Sequence, residues 1–209
     1  MSYVFKEKKA ARIGAPLIFT LHGTGGDENQ LFGFAEKLLP EAAIVAPRGD
    51  VSEPGALRFF RRKAEGVYDF ADLAERTVAM SAFVQSRKDV SRPGRAIGVG
   101  YSNGANILAA VALASPELFD ELVLMHPLVS WTPPDDPRLA RLKVLITAGR
   151  GDPICPPELT NALAEFLKRQ GTAVTLAWHD GGHEVRPSEE AVIAGFLAGQ
   201  GAPGSMPGM

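Results

Sequence analysis

The sequence is poor in several things, and each shortage excludes a class of protein. It has one cysteine, Cys155, in 209 residues, so no internal disulfide can form, and a lone thiol suits a reducing compartment. No segment approaches the ~18 consecutive apolar residues of a membrane span. The start, Met1 to Lys9, turns charged where a signal peptide needs its apolar core. A cytoplasmic protein without membrane insertion is the expectation. Charge of one sign is also missing: 22 basic residues face 24 acidic ones, for a net charge of -2. No global field is available to hold nucleic acid. The longest basic cluster, Arg58 with Arg61-Arg62-Lys63, is followed at once by Glu65 and reads as a solvated loop or a local anion site. Gly23 to Gly26 is not followed by Gly-Lys-Ser/Thr, and the run Leu124-Met125-His126-Pro127 lacks the acid that would bind a ribose, so neither a phosphate cradle nor a dinucleotide site is expected. The histidines have no metal-ligand spacing, and no metal or other cofactor is predicted.

What the chain does have is apolar content of 45%, enough for one well-buried core. One domain is expected over 1–198, with a loose Gly/Pro/Ser-rich tail over 199–209. Short β-branched and apolar runs alternate with helical patterns. Strands are read at residues 3–6, Leu17–Leu21, Ala42–Ala46, in the apolar run after Arg95 that leads to Ser102, and at Glu121–Met125, Leu142–Thr147 and Ala173–Trp178. Helices are read at Gln30–Leu39, capped by Asp27 and Asn29, at Asp69–Lys88, after Ser102, at Pro156–Arg169 and at Ser188–Leu197. In the second helix Phe70, Leu73, Val78, Met80, Phe83 and Val84 are the expected core positions. Residues 48–67 read as a long loop. About seven strands joined by crossovers too long for hairpins imply an α/β fold with a mainly parallel sheet. Ligands then bind beyond the carboxyl ends of the strands.

One stretch organises the rest. Gly100-Tyr101-Ser102-Asn103-Gly104 stands where a strand gives way to a helix, and matches the G-x-S-x-G nucleophile elbow. A serine hydroxyl needs a base, and the base needs an orienting group. Asp152 follows one strand in Gly149-Arg150-Gly151-Asp152-Pro153, and His183 follows the last in Asp180-Gly181-Gly182-His183. The order Ser102, Asp152, His183 is the one this arrangement uses. His179 and Asp180 compete for the two partner roles, but the paired glycines favour His183, and Asp180 lies close to the histidine on its own loop. His22 and His126 read as histidines that fix loops through hydrogen bonds, and Cys155 as a buried or half-buried thiol. The oxyanion of a tetrahedral intermediate needs donors. The backbone N–H of Asn103, at a helix start, and that of Thr24, in the glycine-rich turn, are the candidates. Phe59, Phe60 and Ile154 are the candidate acyl or alcohol pocket, with core packing the expected place of at least one phenylalanine, and Arg58 or Arg61 would meet an anionic group or pair with Glu65 or Asp69. The connection from Pro127 to Arg141 is too short for a large lid, so an open site acting on soluble esters is expected.

With these residues in place, the sequence resembles the phospholipase/carboxylesterase branch of the α/β-hydrolases, which includes the acyl-protein thioesterases, and its bacterial esterases most of all. Leu21-His22-Gly23-Thr24-Gly25-Gly26-Asp27-Glu28, Gly100 to Asn106, Gly149 to Pro153 and Gly181-Gly182-His183 look like that group's signature blocks, in register from Leu17 to Leu197. The resemblance implies an α/β-hydrolase fold and cofactor-free hydrolysis of small to medium carboxylic esters, and makes a homodimer a reasonable expectation. Thioesterases proper carry glutamine after the serine, where this chain has Asn103. Lysophospholipase or thioesterase activity is the enzymatic alternative, and a non-catalytic ligand-binding relative is the other.

Overall fold

The computed structural model describes residues 3–199. A seven-stranded sheet runs through it, built from β1 (Phe5–Lys8), β2 (Leu17–Leu21), β3 (Ala43–Pro47), β8 (Ala96–Tyr101), β9 (Glu121–Met125), β10 (Lys143–Gly149) and β11 (Ala173–His179). The spatial order is β1-β3-β2-β8-β9-β10-β11. β1 pairs antiparallel with β3, and every other pairing is parallel. This is the α/β-hydrolase architecture, and it explains the sequence pattern. Strands covered on both faces are continuous apolar runs rather than alternating ones, and β2, β3 and β9 are buried at every position.

Five helices cover the sheet: α1 (Phe32–Leu38), α2 (Phe70–Ser91), α3 (Asn103–Ala114), α4 (Pro157–Arg169) and α5 (Pro187–Leu197). Two hydrophobic clusters result. One joins Phe19, Met80, Ile107, Leu122 and Phe166 beneath α2, α3 and α4. The other joins Ile18, Phe32, Ile97, Val123 and Ile193 beneath α1 and α5. The chain leaves β2 for β3 on one side and returns to β8 on the other, so β2 and β8 flank the switch point of the sheet. A crevice outside their carboxyl ends is where such sheets place a ligand.

Several expectations are corrected. The first strand is displaced to Phe5–Lys8, and the first helix begins at Phe32, not Gln30. Asp27 accepts from the Asn29 amide in a preceding turn, and Leu31 occupies the cap position without a side-chain bond. The expected loop over 48–67 is two small hairpins, β4 (Val51–Glu53) with β5 (Ala56–Arg58) and β6 (Arg62–Ala64) with β7 (Val67–Tyr68). Strands of two or three residues are too short to show a period. In α2, Leu73, Met80, Phe83 and Val84 are buried, but Phe70 and Val78 are exposed. The expected tail from residue 200 onward lies outside the described residues. Among the described residues the connection between β9 and β10 carries only one short 3-10 turn, Pro137–Arg141, and no large lid covers the sheet edge. No described helix is long and apolar enough to cross a membrane.

Candidate active site

The site begins with the backbone at the end of β8. Ser102 has φ 51° and ψ -117°, a region rarely populated by a residue with a Cβ and a store of strain where it occurs. The turn is that sharp because β8 must deliver the chain straight into α3. A Cβ on Gly104 would lie 2.1 Å from the Leu21 carbonyl oxygen, and one on Gly100 would lie 2.7 Å from the Gly104 carbonyl oxygen. The glycines of the motif therefore let α3 start flush against β2. The Ser102 amide donates to the Met125 carbonyl at 2.9 Å, which fixes the strained residue to the neighbouring strand.

Two loops bring partners to the Ser102 hydroxyl. The Nε2 atom of His183 lies 2.8 Å from Ser102 Oγ, and its Nδ1 lies 2.7 Å from Asp152 Oδ2. His183 is half-buried and Asp152 buried. The loop after β10, which carries Asp152, and the loop after β11, which carries His183, are packed backbone to backbone. The Gly151 amide donates to the Gly181 carbonyl, and a Cβ on Gly149 would fall 2.0 Å from the Gly182 carbonyl oxygen. Gly149 thus permits close contact between the acid loop and the histidine loop. Tyr101 adds a strut by donating its hydroxyl to the His183 carbonyl at 2.8 Å.

Asp152 is a well-satisfied anion. Its Oδ1 accepts from the Ile154 and Cys155 amides at 2.8 and 2.9 Å. Burial opposes ionisation, but the Cys155 amide, His183 and the Ile154 amide outweigh it and hold the carboxyl below its ordinary pKa. The rivals stand apart. Asp180 is exposed and pairs with Arg150, and His179 turns inward, accepting from the Gly181 amide at Nδ1.

Around the glycine-rich turn, most amides are occupied. Gly23 donates to Gln30 Oε1, Gly25 to the Leu57 carbonyl and Gly26 to the Gly23 carbonyl. Among the described residues the Thr24 amide has no such acceptor, and neither does that of Asn103 in the first turn of α3, where N–H groups lack intrahelical partners. His22 braces the turn by bridging Gly23 O at 2.7 Å and the Gly49 amide at 2.9 Å, so its Nδ1 carries the proton. Burial holds its pKa below the ordinary histidine value.

The side chain of Asn103 ties the hairpin arm to the elbow: its Oδ1 accepts from the Phe59 amide at 2.8 Å. Arg58, buried, donates to Thr24 Oγ1 at 2.7 Å and to the Phe60 carbonyl at 3.2 Å, and faces Glu53 at 3.4 Å. Its anion is therefore Glu53, whereas Arg61 pairs with Asp69 and Asp72. Beside Ser102 lies a cavity of about 20 Å³ whose lining includes Arg58, Arg62, Tyr68, Asn106 and Ile154. Phe59 and Phe60 do not line it. Both are 0% exposed, Phe59 against the His22 ring and Phe60 against Tyr68. Core packing, the alternative expected for at least one of them, holds for both, because the hairpin arm folds the two rings inward.

Sequence reasoning missed Gln30, Tyr101, Tyr68 and Glu189. Only Glu189 left a signal, as the acid at the third position of a helix opening Pro187-Ser188-Glu189, where it accepts from the Arg186 amide.

Comparison with known proteins gives the same frame. A family model described as "TAP-like protein" matches residues 127–204. The putative hydrolase MhqD of Bacillus subtilis is 37% identical over 175 residues, spanning 83% of this chain and 88% of that protein. A crystal structure of a protein of unknown function from Agrobacterium tumefaciens superposes with a TM-score of 0.89 at 53% identity, over 95% of this chain and 97% of that one. The Bacillus cereus carboxylesterase superposes with a TM-score of 0.87 at 32% identity, over 95% and 94% of the two chains. Sheet order, strained serine, approaching histidine and relatives agree: the chain belongs to the phospholipase/carboxylesterase family and is a hydrolase of the α/β-hydrolase type.

Proposed function

We propose that the protein is a serine carboxylesterase in which Ser102 is the nucleophile, His183 the general base and acid, and Asp152 the residue that orients His183. The observation that carries this reading is the continuous hydrogen-bonded path from Ser102 Oγ through both ring nitrogens of His183 to Asp152 Oδ2. Ser102 Oγ attacks the ester carbonyl carbon as its proton passes to His183 Nε2. The oxyanion forms against the free amides of Thr24 and Asn103, the latter strengthened by the dipole of α3. Collapse expels the alcohol, which takes the proton from His183. Water then attacks the acyl-enzyme with His183 again as base, releasing the acid and restoring Ser102.

Substrate size follows from the cavity. The cavity beside Ser102 is small, and two arginines, a tyrosine hydroxyl and an amide edge it. Such a slot suits a short acyl group and soluble esters, and it disfavours the long chains of lysophospholipids and acylated proteins. Relatives support ester chemistry by name, in the carboxylesterases of Bacillus cereus and Mesorhizobium loti. A fluorophosphonate probe tests the nucleophile: wild type labels stoichiometrically and Ser102→Ala does not. Equal labelling of the two, or none of wild type, sinks the reading. Across p-nitrophenyl esters from acetate to decanoate, kcat/KM should peak at the short end.

A further inference from the structure

Asp152 Oδ2 receives not one histidine but two. Besides His183, the Nδ1 of His126 lies 3.1 Å away from the same oxygen. His126 follows β9, is 0% exposed, and has φ 51°. Only three described non-glycine residues have positive φ, namely Arg92 at a helix end, Ser102 and His126. The ring is therefore held against a backbone preference, by its amide on the Thr147 carbonyl and by the Cys155 thiol on its own carbonyl. On its far side, Nε2 lies 3.2 Å from Glu189 Oε2, 3.5 Å from Glu189 Oε1 and 3.5 Å from Nε2 of His179. A carboxylate can only accept, and the two buried carboxylates flanking the ring favour a proton on each of its nitrogens. His179, on β11, completes the inner wall. Its Nδ1 is taken by the Gly181 amide, so its Nε2 carries a proton, 3.3 Å from Glu189 Oε1.

We propose that His126 is a positioning residue of the triad, a buried imidazolium clamped between Asp152 and Glu189 that fixes the carboxylate orienting His183 and takes up part of its charge. The inference rests on the triad assigned above. The groups facing His126 are Asp152 and His183 from their loops, His179 from β11, Glu189 from α5, the edge-on Tyr101 ring from β8, and the Cys155 thiol at its carbonyl. Burial would lower its pKa, yet the bonds to Glu189 and Asp152 prevail and raise it. Glu189 is needed because a lone imidazolium at Asp152 would neutralise the triad's anion outright; with Glu189 beside it, one cation is shared by two carboxylates.

The His126, His179 and Glu189 ligand-type atoms lie within 4.8 Å of one another, a spacing also compatible with a metal ion. The Gly181 bond argues against one, since it leaves the proton on the His179 nitrogen a metal would need.

Two measurements on the full chain decide the matter. A pH titration of the histidine rings followed by nitrogen-15 NMR should show His126 keeping both ring protons to a higher pH in wild type than in Glu189→Gln. In His126→Gln, the acid limb of the kcat/KM profile should move up by about one pH unit, because His183 loses a neighbouring cation and faces the undiluted charge of Asp152. A merely structural role would lower kcat without moving that limb. A His126 that loses its second proton at the same pH in wild type and Glu189→Gln, an unmoved limb in an active variant, or one zinc per purified chain overturns the proposal. The ring protonation state is read without substrate, so this failure is distinguishable from failure of the esterase reading, which serine labelling decides. If His126→Gln does not fold, the ring titrations of wild type and Glu189→Gln still decide.

Discussion

The two sides of Asp152 use the same oxygen and the same kind of ring for opposite ends. On the outer side His183 is half-buried, held on a loop, and within 2.8 Å of the hydroxyl it serves. On the inner side His126 is sealed between two carboxylates, with no reacting atom in reach. A histidine that must gain and lose a proton each turnover needs access to substrate and a single counter-charge. One enclosed between two carboxylates keeps its proton and acts as a fixed charge. The difference in surroundings, not in residue type, separates a base from a brace.

The variant with the largest expected effect breaks both sides at once. Asp152→Asn leaves a side chain of the same shape that presents a donor where both histidines need an acceptor. We expect kcat/KM to fall by about 10⁴-fold, the scale of losing the orienting acid of a triad. Unlike Ser102→Ala, which removes chemistry and leaves the scaffold intact, it should also cost about 3–5 kcal/mol of stability, because His126 loses a buried partner. Ester kinetics and urea unfolding on the same preparation check the pair of outcomes. Full stability with lost activity would mean that the inner side does not depend on Asp152.

How far the sequence discloses this site depends on how local each signal is. Ser102, Asp152 and His183 each sit at a strand end beside glycines that close packing demands, so three short motifs in order locate them. The central strands β2, β3, β8 and β9 were legible for the same reason, being largely apolar runs of five or six residues. The hairpin arm was not. Val51–Glu53 and Ala56–Arg58 are too short for a period, and the burial of Phe59 and Phe60 comes from contacts with His22 and Tyr68, which only the folded chain brings near. His126 was legible as a residue that fixes loops, but not as a cation. That property requires Glu189, 63 positions away, and no local pattern links the two.

The second expectation sharpens the comparison through pH. His126 has its folded pKa raised by its two carboxylates. Its contribution to stability is therefore complete below the unfolded value near ~6.5 and is lost as pH rises through the higher folded value. Asp152 and Glu189 are depressed despite burial, by the Cys155 amide and His183 in one case and by His126 in the other. Their contributions are present above the unfolded carboxylate values near ~4 and are lost as pH falls through the folded ones. Stability should therefore be greatest between these limits and decline on both flanks. In Glu189→Gln the alkaline flank should flatten, as His126 no longer keeps its second proton. Urea midpoints from pH 4 to 10 measure this, and an alkaline flank unchanged in the variant would assign it to another group.

The smallest effect comes from a static contact that lies outside the Asp152 relay, and it serves as the control. Thr24 offers two things: an amide facing the site, assigned to the oxyanion, and a hydroxyl that accepts from Arg58 at 2.7 Å. Thr24→Ala keeps the first and deletes the second. Arg58 is 3% exposed, so its orphaned N–H has little water to turn to, at a cost of about 1–3 kcal/mol in stability. Catalysis should stay within about tenfold of wild type, because the backbone donor remains and removing such a donor costs about 10²–10³-fold. The acid limb of the rate profile should not move, since no charge near His183 has changed. A loss of kcat beyond a hundredfold with the stability retained would mean that the Thr24 hydroxyl, and not its amide, meets the developing charge.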